Sequence, residues 1–344
     1  MRGPAIGPAL FLSLVRGVRV YPAIHFGPVA QYVIRRVLLL IPTLLLVALI
    51  TFVLALSAPG SPFDKNPDKP LSADDEARLK QIYGLDRPIY EQFAIYIANA
   101  ARLDFGISIV RHRPVVEIIG DGLPKSAQLG VQAMFVGLLI ALPLGIFSAL
   151  KQNSVIDYLS VGVATIGTTI PSFVIGILLI YVFGVSLHWL PFVGWGESCG
   201  PIPSCEVKKM ILPTFILALA PAGYLTRITR ASMLEAIRQD FVRTARSKGL
   251  GEGAVIVGHA LRNALIPVVT IIGPATAGLI VGTFFIEYIF SIPGSGREYI
   301  RAINSRDYPV IMGTTLLYAF FIAGANLLVD VAYGLVDPRI KVGK

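Results

Sequence analysis

The sequence predicts an all-α integral membrane protein with six transmembrane helices, and three observations carry that reading. Of its 344 residues 54% are hydrophobic and only 15% charged, with a mean hydropathy of +0.70, so lipid is the solvent for most of the chain. Six stretches, near 37–57, 127–150, 158–184, 210–226, 264–290 and 308–333, meet or approach the roughly 20 apolar residues that a hydrocarbon core about 30 Å thick requires. Runs of that length keep their backbone polar groups paired in lipid as helices, not as barrel strands. Third, the Lys and Arg residues gather at alternate ends of the stretches, which sets a topology.

The net charge of +9 would suit nucleic acid, but the cations lie between apolar segments and form no basic patch with interleaved aromatics. Arg35 and Arg36 precede the first stretch, Lys151 follows the second, and Arg339, Lys341 and Lys344 follow the sixth. Arg227, Arg230, Arg238, Arg243, Arg246, Lys248 and Arg262 fall between the fourth and fifth. Placing these segments inside puts both termini in the cytoplasm, which agrees with an even helix count.

Residues 1–30 read as a cytoplasmic extension, or an interfacial helix, because Arg16 and Arg19 interrupt them and no apolar run with a cleavage site follows. The remainder, 31–344, reads as one membrane domain with two elaborations. An outer insertion spans 59–125. In it Ser72 and Asp75 form a capping box, Gly84 marks a stop, and a second helix is expected from about Pro88 to before Asp104. This insertion is either a solvated loop or a docking surface for a soluble partner. Cys199 and Cys205 also fall on the outer side, where a disulfide between them is chemically allowed.

The inner elaboration spans 227–262. Leu234, Ile237, Phe241 and Ala245 fall at helical spacing and make an apolar stripe, with Arg238, Arg243, Arg246 and Lys248 around it and Gly249 as the breaker. Such a helix either seats in the groove of a cytosolic partner or lies on anionic lipid. Within the helices, Thr165, Thr168, Thr169 and Ser172 share one face of the third stretch at i, i+3, i+4 and i+7, either lining a transport path or tying helices together. Gly278 and Gly282 read as a packing face, and Glu287 and Asp330 as hydrated, structural carboxylates near the interfaces.

There is no phosphate-binding Gly-x-x-x-x-Gly-Lys-Ser/Thr loop, no metal-ligand spacing among four His and two Cys, and no hydrolase motif. The expectation is a protein with no cofactor, no metal and no chemistry of its own.

Two runs, residues 241–250 (FVRTARSKGL) and 259–267 (HALRNALIP), resemble the coupling loop of binding-protein-dependent ABC importer permeases, specifically the B-type subunit of dipeptide and oligopeptide permeases. Arg243, Thr244 and Ala245 stand where the wider family carries Glu-Ala-Ala, and Gly249 is the motif glycine. Leu261-Arg262 replaces the usual Leu-Pro. Six further segments match in order: 56–62 (LSAPGSP), 83–88 (YGLDRP), 104–108 (DFGIS), 290–294 (FSIPG), 306–309 (RDYP) and 337–340 (DPRI). The resemblance implies a type I ABC importer permease fold. It also implies a homologous second permease as heterodimer partner, two cytosolic ATP-binding subunits and an extracytoplasmic substrate-binding protein. Phe241, Arg243, Thr244, Ala245, Arg246, Lys248 and Gly249 would contact the ATPases. The expected cargo is a peptide, crossing the cytoplasmic membrane of a prokaryote; nickel chelates, glutathione and oligosaccharides are the alternatives within the same architecture. An ion-driven secondary transporter is the rival class, for which inverted repeats and midplane carboxylates would be expected.

Overall fold

The structure, a computed structural model, describes residues 27–57, 78, 81, 86–196 and 204–336. Every regular element among them is helical. In chain order they are α1 (Gly27–Ser57), α2 (Ile89–Ala100), α3 (Val115–Leu150), α4 (Val155–Thr169) and α5 (Ser172–Leu179, running on as a π-helix over Ile180–Ser186). Then come α6 (Ser204–Ile237), α7 (Asp240–Ser247), α8 (Glu252–Val255, followed by a π-helix over Ile256–Leu261), α9 (Arg262–Gly282), α10 (Phe284–Ile289), α11 (Ser295–Ser305) and α12 (Tyr308–Val336).

Five helical stretches are long and apolar enough to cross a membrane, and the pair α4–α5 supplies a sixth crossing if its two arms count as one span. The third stretch is therefore not one rod, for its arms meet at 103°. Ile170 is extended there, at φ −86° and ψ 127°, because Pro171 disfavours helical backbone in the residue before it and then opens α5. The fourth stretch is longer than its apolar run indicates. At 34 residues α6 measures about 51 Å, so 227–237 continue the helix and the inner elaboration begins only at Arg238. Likewise the second long helix starts at Val115, so residues 115–125 of the insertion expected over 59–125 are part of that helix. The insertion's helix at Ile89–Ala100 stands where expected, whereas the box at Ser72–Asp75 and the stop at Gly84 lie outside the described residues.

Helix α6 is the axis of the bundle, packed on α3, α4 and α9, while α1 is held mainly by α12. Close approach needs missing side chains at two points. A Cβ on Gly167 of α4 would lie 2.5 Å from the Leu219 carbonyl oxygen, and one on Gly223 of α6 would collide with the Ala164 carbonyl. Without them α4 and α6 lie backbone to backbone. By contrast, a Cβ on Gly278 or Gly282 would meet nothing within 4 Å, so no described residue packs closely on these two positions of α9.

Two carboxylates lock the end of the bundle where α11 and α12 begin. Asp307, 2% exposed, accepts hydrogen bonds from the Ser108 hydroxyl at 2.5 Å and from the backbone N–H groups of Ile109 and Val110 at 3.1 and 3.2 Å. That contact clasps the loop before α3 to the start of α12. Glu287 is fully buried, not hydrated as its place near a helix end implied. It accepts from the Thr283 hydroxyl and from the Arg297 N–H at 3.0 Å, which caps the amino end of α11. The side chain of Asp330 and both cysteine side chains lie outside the described residues. Outside the spans, burial pushes the Tyr96 phenol well above its ordinary range.

Candidate coupling site and membrane path

The chain leaves α6 through a tight turn in which Arg238 and Gln239 donate their N–H groups to the Glu235 and Ala236 carbonyls, both at 3.2 Å. The Gln239 carbonyl then accepts from Val242 at 3.1 Å and starts α7, with Asp240 in the first turn against the helix dipole. At the far end the Gly249 N–H reaches the Arg246 carbonyl at 2.9 Å, and Gly249 adopts φ +77°, a left-handed stop suited to glycine.

That turn resets the helical phase, so the stripe Leu234, Ile237, Phe241, Ala245 is not one face of one helix. The buried set is Met233 and Ala236 from α6 with Val242 and Ala245 from α7. They pack with Ala149 at the end of α3, Val255 of α8, Ala260, and Ala264 of α9. Phe241 points away from this cluster, 39% exposed, and walls a cleft of about 290 Å³ with Glu235, Gln239, Asn263, Ile266 and Pro267. Arg243, Thr244, Arg246, Lys248 and Gly249 are all exposed. Arg246 is braced by Glu252 through bonds of 2.8 and 3.2 Å, and Arg243 lies 3.5 Å from Asp240. The result is a short helix with a cationic outer face, whose inner face is fused to the ends of three long helices.

The residue that ties α4 into this unit is Asp157. Its buried carboxylate receives Nε and Nη2 of Arg230 on α6 at 2.7 and 2.8 Å, the Ser148 hydroxyl of α3 at 2.5 Å and the Asn153 N–H at 2.9 Å. One side chain thus joins three helices through a bidentate ion pair. Sequence reasoning passed over it because Arg227 and Arg230 were assigned to a loop. The signal was present: Ser154 precedes Asp157 by three residues in a capping pattern, and the Ser154 hydroxyl accepts from the Asp157 N–H at 3.4 Å.

Of the four hydroxyls assigned to one face, Thr165, Thr168 and Thr169 stay on α4, and Ser172 stands beyond the bend on α5. Thr165 donates to the Val161 carbonyl at 2.7 Å, and Thr168 to the Ala164 carbonyl at 3.0 Å. Thr168 also accepts from Nη2 of Arg227, which reaches the Ala164 carbonyl at 3.2 Å as well. Among the described residues no cluster of His, Cys, Asp and Glu has the arrangement of a metal site.

Residues 141–342 match the family described as binding-protein-dependent transport system inner membrane component, and residues 29–130 match the N-terminal region of the same kind of component. The chain belongs to this family. The curated relatives of this inner membrane component extend over almost its whole length. The dipeptide transport system permease protein DppB of Bacillus subtilis (strain 168) is 41% identical over 316 residues, covering 92% of this chain and 99% of the relative. The oligopeptide transport system permease protein AppB of the same strain is 40% identical over 315 residues, covering 91% and 99%. The oligopeptide transport system permease protein OppB of Escherichia coli (strain K12) is 38% identical over 312 residues, covering 90% and 99%. This transport component is thus a multi-pass, all-helical permease subunit of an ABC importer, and the fold class and family expected from its sequence are both borne out.

Proposed function

We propose that this permease half carries dipeptides or oligopeptides across the cytoplasmic membrane, driven by separate ATPase subunits that push on α7. The cargo is the one named for relatives that match at about 40% identity end to end. The partners are a homologous permease, two cytosolic ATP-binding subunits and an outer binding protein, with both termini in the cytoplasm. The chain itself hydrolyses nothing and needs no cofactor.

One observation carries the mechanical part. The outward residues Phe241, Arg243, Thr244, Arg246 and Lys248 are free to meet a partner, while Val242 and Ala245 are packed against α3, α6, α8 and α9. A displacement of α7 by its partner is passed to these helix ends, because a packed core shifts between discrete arrangements and does not deform smoothly. Asp157 extends the push to α4, where Thr165, Thr168 and Thr169 face the proposed path, with Ser172 just beyond the bend.

The test uses the assembled importer in proteoliposomes. Deleting residues 240–249 is expected to abolish peptide-stimulated ATPase activity with the chain still inserted. A cross-linker on Arg246→Cys, in a background with Cys199→Ser and Cys205→Ser, is expected to capture an ATPase subunit. Capture of phospholipid alone, or normal stimulation after the deletion, would defeat the assignment. Uptake assays with peptides against nickel chelate, glutathione and oligosaccharide decide the cargo.

A further inference from the structure

Arg227 reaches the wrong way for a lipid-facing cation. It lies 10 residues before the inner end of α6 at Ile237, and an arginine on lipid there would extend its charge toward that nearer interface. Its guanidinium runs the other way, toward the amino end of α6, as helical side chains lean. It ends at Ala164 and Thr168 of α4. Its neighbour Arg230 holds Asp157, at the opposite end of the same helix. Thr168 lies 13 residues past Val155, about 20 Å along the axis, close to the bend where α4 gives way to α5. The guanidinium is therefore anchored beside the bend, at the far end of α4 from Asp157.

The site is open on one side. Arg227 remains exposed within this chain, as do Thr165, Thr169 and Tyr224 around it. Nη2 makes two hydrogen bonds, each to a neutral oxygen, and among the described residues no carboxylate pairs with the charge. Nε and Nη1 make no hydrogen bond among the described residues, so donors remain for an anion from outside this chain.

We infer that Arg227, steadied by Thr168, is an anion-reading site in the transport path, and that the anion it takes is the carboxylate of a passing peptide. The carboxylate half of this inference rests on the proposed peptide cargo; the water-filled, anion-selective character of the site does not. A lipid phosphate has the same chemistry for a guanidinium, and the experiment separates the two.

Thr165→Cys, with Cys199→Ser and Cys205→Ser, places a thiol beside Arg227 in the assembled importer. Anionic and cationic methanethiosulfonates are then applied from either side. The expected result is modification by both, with the anionic reagent faster by roughly fivefold, the ratio one nearby charge produces in water for reagents of opposite sign. Arg227→Gln is expected to bring the ratio to about one. No reaction with either reagent places the face in lipid and overturns the inference, as does a ratio unchanged by Arg227→Gln. In a second arm, saturating peptide is expected to slow labelling while the importer turns over, and Arg227→Gln to remove that protection. Labelling that peptide never slows, in an importer whose peptide uptake is intact, overturns the carboxylate assignment. Absence of peptide uptake by the unsubstituted importer would count against the cargo instead.

Discussion

Removing the charge of Asp157 tests how α4 is joined to the rest. In Asp157→Asn the shape is kept, but Arg230 loses its bidentate acceptor and the Ser148 hydroxyl meets an amide. Breaking a buried pair costs about 3–5 kcal/mol. The carboxylate is nearly inaccessible, whereas a quarter of the Arg230 side chain reaches the surface, so solvation recovers part of that and about 2–3 kcal/mol is expected. For a chain of this size about 2 °C accompanies each kcal/mol, giving a fall in Tm of about 4–6 °C in detergent. Arg230→Gln is expected to lose a similar amount. The double variant should lose clearly less than the sum, since each single change already removes the shared interaction. Peptide-stimulated ATPase activity should fall in both single variants while basal hydrolysis persists. Additivity within about 0.5 kcal/mol would show that the two residues do not act as a pair and would refute the reasoning.

Gly249→Val forces a β-branched residue to φ +77° where space is open but backbone is not, and is expected to cost about 1–3 kcal/mol locally and to abolish stimulation of ATPase activity by peptide. Gly167→Ala drives a methyl into the Leu219 carbonyl; overpacking of about 1–3 kcal/mol should lower Tm by several degrees, and an unchanged melting curve would contradict the close approach of α4 and α6. Glu287→Leu takes the side-chain acceptor from the part-buried Arg297 N–H and leaves the Thr283 hydroxyl only the Ile280 carbonyl at 3.3 Å, a cost of about 1–3 kcal/mol, and faster hydrogen exchange across Ser295–Ser305 would register the lost cap. Asp307→Ala frees Ser108, Ile109 and Val110 in the same way and is expected to open that loop to protease, with uncut loop as the contrary result.

The long apolar helices were legible because length and hydropathy are summed over many residues. Helix ends were less so. Arg227 and Arg230 read as loop because a charge in an apolar run ordinarily marks an interface, yet here one is paired with Asp157 and the other reaches back along its own helix. The bend at Ile170-Pro171 was signalled by proline alone, and a proline inside a span is compatible with a continuous helix, as Pro213 and Pro221 in α6 demonstrate. In the coupling region the motif from Phe241 to Gly249 was readable as a string, but not which side of it is packed. The turn at Arg238-Gln239 interrupts the helical count on which the stripe was drawn, and only the contacts of Val242 and Ala245 reveal which side is packed. Glu287 and Asp307 depend on partners far away in the chain, a relation that periodicity does not encode.

The distance in sequence between Ser108 and Asp307, 199 positions, bears on the order in which the molecule is assembled. Synthesis makes residues 108–110 early and the carboxylate that fastens them nearly last. Until Asp307 is in place, the Ser108 hydroxyl and the N–H groups of Ile109 and Val110 lack the acceptor they have in the finished fold. Closure of this clasp therefore reports that the chain has been made through the start of α12.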